Sequence, residues 1–260
     1  CSLLEVEPVS TITSQSFWKN SGDAKAYLTG IYNKVRALNN TSLYGEDRGD
    51  AFKVGEIGPS TNAWAQNLLE NNAPSYRDAY NIIHHTNLLL YKIDGLSFTN
   101  EADKNRIKAE TYYLRAQTYF FLVRIWGDAP ILLDPVLSDK IELKPRSPKE
   151  EVMKQVLSDI EQSLSLFPEE GFVNKNYSSK PAAYALKADA LLWKAKVLSG
   201  GDSDLNEAVN AINEVEKSGV ELLPEYASVF NNANNYINDT RITSVIFYNE
   251  NIATSKRNNL

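Results

Sequence analysis

Between Asn40 and Ala73 lies a segment with no helical periodicity that gathers Tyr44, Arg48, Asp50, Phe52, Trp64, Gln66 and Asn67 among glycines and serines. Side chains of these types suit a ligand that offers apolar C–H faces and a fan of hydroxyls. An aromatic ring takes the face, while amides, a carboxylate and a guanidinium take the hydroxyls. That is the chemistry of sugar recognition. The competing reading for Trp64 is that it pins the segment onto the following helix, because large aromatics usually bury.

Other chemistry-bearing residues have simpler readings. His84 and His85 are the only two histidines. As neighbours on a helix they point about 100° apart and cannot share a metal as an i, i+4 pair would. Asp202-Ser203-Asp204-Leu205-Asn206 begins like a calcium loop, but Glu207 stands where glycine is required and Asn213 where the closing glutamate belongs. Helix capping accounts for it better. Glu110 and Arg115 fall inside a heavily apolar helix and read as structural groups with buried partners. Arg48-Gly49-Asp50 is a tripeptide that chance supplies easily.

No Gly-x-Ser-x-Gly elbow, Gly-x-x-x-x-Gly-Lys-Ser/Thr loop or His-Glu-x-x-His pair is present, and no cysteine has a partner base. No catalytic residue, metal site or cofactor is therefore assigned. A glycosidase working through two carboxylates is a third-ranked reading, since spacing of roughly 5 to 9 Å between them is invisible in sequence.

The elements that must position these residues are mostly helical. In Asp23 to Asn39, Ala24, Leu28, Ile31, Val35 and Leu38 form one apolar stripe. Pro74 to Asp94 carries a second stripe, Tyr76, Tyr80, Ile83, Asn87 and Leu90, with Gly95 as a left-handed stop. Glu101 to Trp126 is apolar on most sides from Tyr112 onward, so it sits between neighbours, and Gly127 and Pro130 end it.

Ser147-Pro148-Lys149-Glu150 predicts a capping box opening a fourth helix that runs to Phe167, with Val152, Val156, Ile160 and Leu164 inward. Pro181 to Leu198 mixes alanines with large residues, a surface another helix can approach closely. Asp204 and Glu207 read as an N-cap pair for Leu205 to Ser218. From Pro181 to Ser218 the resulting hairpin is close to the roughly 34-residue unit of tetratricopeptide repeats. Arg241 to Tyr248 reads as a short strand.

The six helices cover nearly half of the 260 residues, above the roughly one-third of an average domain. The predicted fold class is mainly α: a tetratricopeptide-like helical-hairpin scaffold with long irregular loops, Asn40 to Ala73 and Asp128 to Arg146, and little β. Residues 1–22 read as an extended leader and 23–260 as the helical domain.

Lys and Arg total 27 against 33 Asp and Glu, a net charge of −6. With no basic excess to neutralise a phosphate backbone, nucleic acid is not an expected partner. No stretch reaches the roughly 18 consecutive apolar residues of a membrane helix. The single cysteine is Cys1, with no methionine before it. This placement favours the mature end of a bacterial lipoprotein, where a signal peptide is removed and the cysteine acylated, over a chain that merely starts there. One acyl chain holds a protein only marginally, whereas two or more anchor it stably.

Several separate segments together resemble the SusD/RagB family of outer-membrane nutrient-binding lipoproteins of Bacteroidetes. The leader Cys1-Ser2-Leu3-Leu4-Glu5-Val6-Glu7-Pro8, followed by Ser16-Phe17-Trp18, is similar to the family's start. Ala109-Glu110-Thr111-Tyr112-Tyr113-Leu114-Arg115-Ala116, running through Tyr119-Phe120 into Trp126-Gly127-Asp128-Ala129-Pro130, is similar to its most distinctive segment. Ala182 to Leu198 and Tyr226-Ala227-Ser228-Val229-Phe230 also fit.

The resemblance implies a lipid on Cys1 and a place on the outer face of the outer membrane. It also implies a SusC-like TonB-dependent barrel transporter as partner, and capture of a glycan, or in some branches a peptide, for handover to that barrel. It makes Trp64 the first candidate for a stacking platform, with Tyr44, Arg48, Asp50 and Asn67 beside it. Typical members are about twice as long, so the chain departs from the pattern after the strand near Phe247. The runner-up reading is a helical-repeat scaffold that organises surface proteins without binding a nutrient.

Overall fold

The structure is a computed structural model. It describes residues 17–36, 38, 62–72, 75–138, 143–171 and 177–218, and the backbone alone of 221–222 and 241–242. Six α-helices are described: α1 (Ser21–Val35), α2 (Arg77–Ile93), α3 (Glu101–Trp126), α4 (Lys149–Leu166), α5 (Lys180–Val197) and α6 (Asp202–Lys217). A 3-10 turn, Glu70–Asn72, precedes α2. The strands β1 (Glu221–Leu222) and β2 (Arg241–Ile242) pair in parallel, Glu221 opposite Arg241. The mainly α class read from the sequence is the class observed.

Helix ends show which local signals decided them. At α1, Asn20 Oδ1 accepts from Gly22 N at 2.8 Å and Asp23 N at 3.3 Å, while Asp23 Oδ2 accepts from Asn20 N at 2.9 Å. This reciprocal box fixes the start. The helix stops at Val35, four residues short of the expected Asn39. Helix α3 runs over the predicted span, capped by Asn100 Oδ1 on Ala102 N at 2.9 Å and stopped at Gly127, whose φ of 71° lies in left-handed space.

Other ends correct the sequence expectations. Gly95 does not take the left-handed conformation: α2 closes on right-handed Asp94. The capping box expected at Ser147 is not formed. Ser147 instead exchanges two backbone hydrogen bonds with Ala129, both 3.1 Å, and Asp128 Oδ1 accepts from Lys149 N at 2.9 Å across the gap. Because Ser147 is held by that bridge, the orphan N–H of the helix is satisfied from another segment. At α6 the helix opens at Asp202, and Asp204 is the third helical residue, not the cap. Its carboxylate reaches back to Gly201 N at 3.4 Å and pairs with Lys194 Nζ at 2.6 Å. The acidic run is thus used for helix starting, as the failed calcium pattern implied.

Successive helices pack on one another, most extensively α3 on α4 and α5 on α6, with α1 against α2. This neighbour-on-neighbour arrangement is that of tetratricopeptide-like hairpins. The main core is centred on α3, where Leu114, Tyr119 and Leu122 bury with Ile82, Ile83 and Leu89 of α2 and Met153, Val156 and Ile160 of α4. A smaller cluster, Ala188, Leu191, Ala208 and Ala211, joins α5 to α6, so the alanines do permit close approach. Each large core side chain, such as Leu114, stabilises the fold by roughly 2 to 5 kcal/mol against truncation to alanine.

The second long connection is strapped down. Leu132 N donates to Tyr119 Oη and Leu132 O accepts from the same hydroxyl, both at 2.8 Å. Asn87 Nδ2 donates to Leu132 O at 2.9 Å. Buried polar side chains of α2 and α3 therefore hold this loop against the bundle. Among the described residues no helix is long and apolar enough to cross a membrane.

Candidate functional site

Of the residues singled out for ligand binding, Trp64 and Asn67 are described, whereas Tyr44, Arg48 and Asp50, and Cys1 with its expected lipid, lie outside the described residues. The segment that carries Trp64 is a tight turn. Asn67 N donates to Asn62 O at 2.9 Å and Gln66 N to Ala63 O at 3.2 Å. Gln66 occupies left-handed backbone, φ 55°, and its side-chain amide reaches Ala63 O at 3.4 Å.

Ala63 is buried, while Trp64 is 40% exposed. Trp64 therefore presents a good part of its indole to solvent from a turn whose backbone is hydrogen-bonded across itself. Asn67 is exposed on the same turn, three residues on. The structure thus brings an accessible ring and an amide onto one turn, the pairing that stacking plus hydroxyl recognition requires.

A second aromatic group stands where the sequence placed core. Tyr76, read as the first residue of the buried stripe of α2, is 52% exposed. It is the residue that precedes the first turn of the helix. Its ring stands edge-on to Tyr80 at 5.5 Å and to Trp126 at 5.9 Å, and Trp126 meets Phe121 at 5.8 Å. Tyr80 Oη donates to Pro130 O at 2.8 Å, fixing the centre of this group. Edge-to-face rings at these separations hold one another in place. The sequence signal was available: Tyr76 follows Pro74 and precedes the first regular helical turn, where stripe positions need not face a neighbour.

The titratable groups flagged in the sequence have structural partners. Arg115 pairs with Asp159, and Glu110 accepts from Tyr32 Oη at 2.6 Å. His85 Nδ1 and Tyr27 Oη share a hydrogen bond of 2.5 Å, and burial, with help from Lys34 and His84, lowers the His85 pKa to about 4. His84 Nδ1 accepts from Val136 N at 3.2 Å, and burial followed by Lys34 again lowers its pKa. Both rings are thus neutral at pH 7 and committed to protein hydrogen bonds. Among the described residues no group of three or more His, Cys, Asp or Glu is placed to hold a metal ion.

The comparisons with known proteins agree with this architecture. The SusD-like family model described as "Starch-binding associating with outer membrane" matches residues 4–192, well over half of the chain, and the chain belongs to that family. SusD-like protein P25 of Formosa agariphila is 28% identical over 256 residues, covering 90% of this chain and 46% of its own. SusD-like protein P38 of the same organism is 33% identical over 208 residues, covering 75% and 38%. Among solved structures, NanU of B. fragilis superposes with a TM-score of 0.76 at 30% identity, over 90% of this chain and 49% of that one. The chain spans less than half the length of these relatives.

Proposed function

We propose that this chain serves as a cell-surface binding component of a nutrient-uptake system, capturing a glycan and passing it to a SusC-like TonB-dependent transporter of the outer membrane. In this reading lipid on Cys1 tethers the protein to the outward face. Ligand is held by stacking on Trp64, with Asn67, Tyr44, Arg48 and Asp50 supplying polar contacts, and it leaves chemically unchanged. The observation that carries the reading is the exposed indole of Trp64 on a self-bonded turn, beside an exposed amide. A ring already held at the surface loses little conformational freedom when a sugar stacks on it. Membership of a family described as starch-binding supports a glycan as the ligand class.

The test is an array of soluble polysaccharides and peptides probed with the purified chain, followed by assay for new reducing ends on whatever binds. Retention of one or more glycans with no new ends is expected. Retention of peptides alone, or cleavage of the bound glycan, overturns the reading. Co-purification of a β-barrel partner from membranes tests the handover step separately.

A further inference from the structure

A cavity of about 450 Å³ opens between α1, α3 and the start of α5, and no residue of the Trp64 turn lines it. Its floor is formed by Leu28, Ile107, Phe167 and Glu110, all buried. Its rim carries Lys25 of α1 and Tyr177, which is 38% exposed. Volume and lining fall in the range of small-molecule sites, which are mostly apolar with a few placed polar groups, at roughly 300 to 1,000 Å³.

Glu110 is the placed group. It is 5% exposed, and one carboxyl oxygen accepts from Tyr32 Oη, which in turn accepts from Ser178 N at 2.9 Å. Its other oxygen has no hydrogen bond among the described residues. That oxygen is not sealed from solvent but opens onto the cavity, where water or a ligand hydroxyl can complete it. We infer that the cavity is a second binding site, for a single neutral polyhydroxylated ring such as one monosaccharide unit, whose hydroxyl completes Glu110 while its C–H face lies on the apolar floor.

Charge and protonation select this class. Lys25 and Glu110 oppose each other in sign, and the Arg106 guanidinium, also on the lining, is already paired with Glu169 and Asp103. The lining therefore sums to zero when Glu110 holds its proton and to −1 when it is ionised, which gives no positive excess to hold an anion and at most a single charge to attract a cation. Burial holds the Glu110 carboxyl near neutrality, at about 7, so it is present in both forms at physiological pH. A hydroxyl both donates and accepts and matches either form. An ammonium matches only the ionised form and a carboxylate only the protonated one. The inference stands whether or not Trp64 binds glycan.

The experiment is a titration of the chain, labelled with ¹³C at glutamate carboxyls, with methyl α-glucopyranoside, glucosamine and glucuronate in parallel. Loss of one resonance in Glu110→Gln assigns that carboxyl. The neutral glycoside is expected to shift it saturably, Glu110→Gln to weaken binding about fivefold, the worth of roughly one hydrogen bond, and Thr29→Trp at the exposed rim to abolish it. Trp64→Ala is expected to leave this titration unchanged. No saturable shift with the neutral glycoside, tighter binding of either charged sugar, or binding undiminished in Thr29→Trp overturns the assignment. If Glu110→Gln fails to fold, the binding isotherms of the wild type and Thr29→Trp decide the matter, because saturable binding that the rim substitution abolishes needs no resonance assignment.

Discussion

Arg115 and Asp159 meet fork to fork between α3 and α4: Nε donates to Oδ2 at 2.8 Å and Nη2 to Oδ1 at 2.6 Å. The pair is almost wholly excluded from water, and two further side chains hydrogen-bond to it. Arg115 Nη1 donates to Asn87 Oδ1 at 2.8 Å, and Gln155 Nε2 donates to Asp159 Oδ1 at 2.9 Å. Through Asn87 the network continues to Leu132 O and Asp134 O, so α2, α3, α4 and the 128–138 connection share one set of polar contacts.

Removing one partner leaves a buried charge without compensation, which costs about 3 to 5 kcal/mol. Asp159→Ala is therefore expected to remove a large part of the roughly 5 to 15 kcal/mol margin of a typical domain, seen as a lowered midpoint of urea unfolding. Asp159→Asn, which keeps one acceptor for Arg115, is expected to cost less. Equal losses in the two variants would show that packing, not charge, holds this junction.

Glu110 gives stability an unusual pH dependence. Burial raises its pKa from the ordinary 4.5 to about 7, against the opposing pull of the Tyr32 hydrogen bond and the Arg106 charge. Between those two values the folded chain keeps a proton that the unfolded chain releases, so unfolding stability falls as pH rises and levels off above about 7. The lost stability is of order 3 kcal/mol at most. Denaturant unfolding from pH 4.5 to 8 is expected to show this decline in the wild type and to lose that component in Glu110→Gln. A decline of the same size in the variant would assign it to other groups.

Much of the fold could be read from the chain because its signals are local. The Asn100 cap and Gly127 stop of α3 bracket an apolar run within one stretch of sequence, and both ends fell where expected. The stripe of α1 overran its helix because Leu38 packs on the core from outside regular helix, so hydrophobic spacing outlived the backbone pattern. Tertiary capping is invisible in the same way: Asp128 serves Lys149 from 21 residues away. The Glu110 cavity was equally hidden, since Tyr32 and Ser178 are 78 and 146 residues from their partners there, Glu110 and Tyr32. Sequence could mark Glu110 as buried, but it could not supply the space beside it.

Gly127 ends α3 with φ 71° and ψ −108°, and a Cβ there would meet nothing within 4 Å. Steric crowding by neighbours is therefore absent, and only backbone strain opposes a side chain. Gly127→Ala is expected to lower stability by about 1 to 2 kcal/mol through that strain. The drop should appear in thermal unfolding with the far-ultraviolet helical signal unchanged. A neutral result would mean the turn can relax into right-handed backbone.

Trp64 separates binding from stability. Its neighbour Ala63 is buried, and the backbone hydrogen bonds that close the turn among the described residues join residues 62 to 67 and 63 to 66. Truncating a partly exposed ring forfeits less burial than truncating a core aromatic, for which about 3 to 5 kcal/mol is usual. A ring that stacks on a sugar, by contrast, contributes a large share of the contact area in a small site. Trp64→Ala is thus expected to weaken glycan binding tenfold or more, about 1.4 kcal/mol, with an unfolding midpoint close to that of the wild type. Isothermal titration against the polysaccharide found on the array, beside a melting curve, distinguishes the outcomes. Unaltered affinity with a lowered melting temperature would make the indole a clamp for its own loop and would move the binding surface elsewhere, with the Tyr76 and Trp126 rings next to be tested.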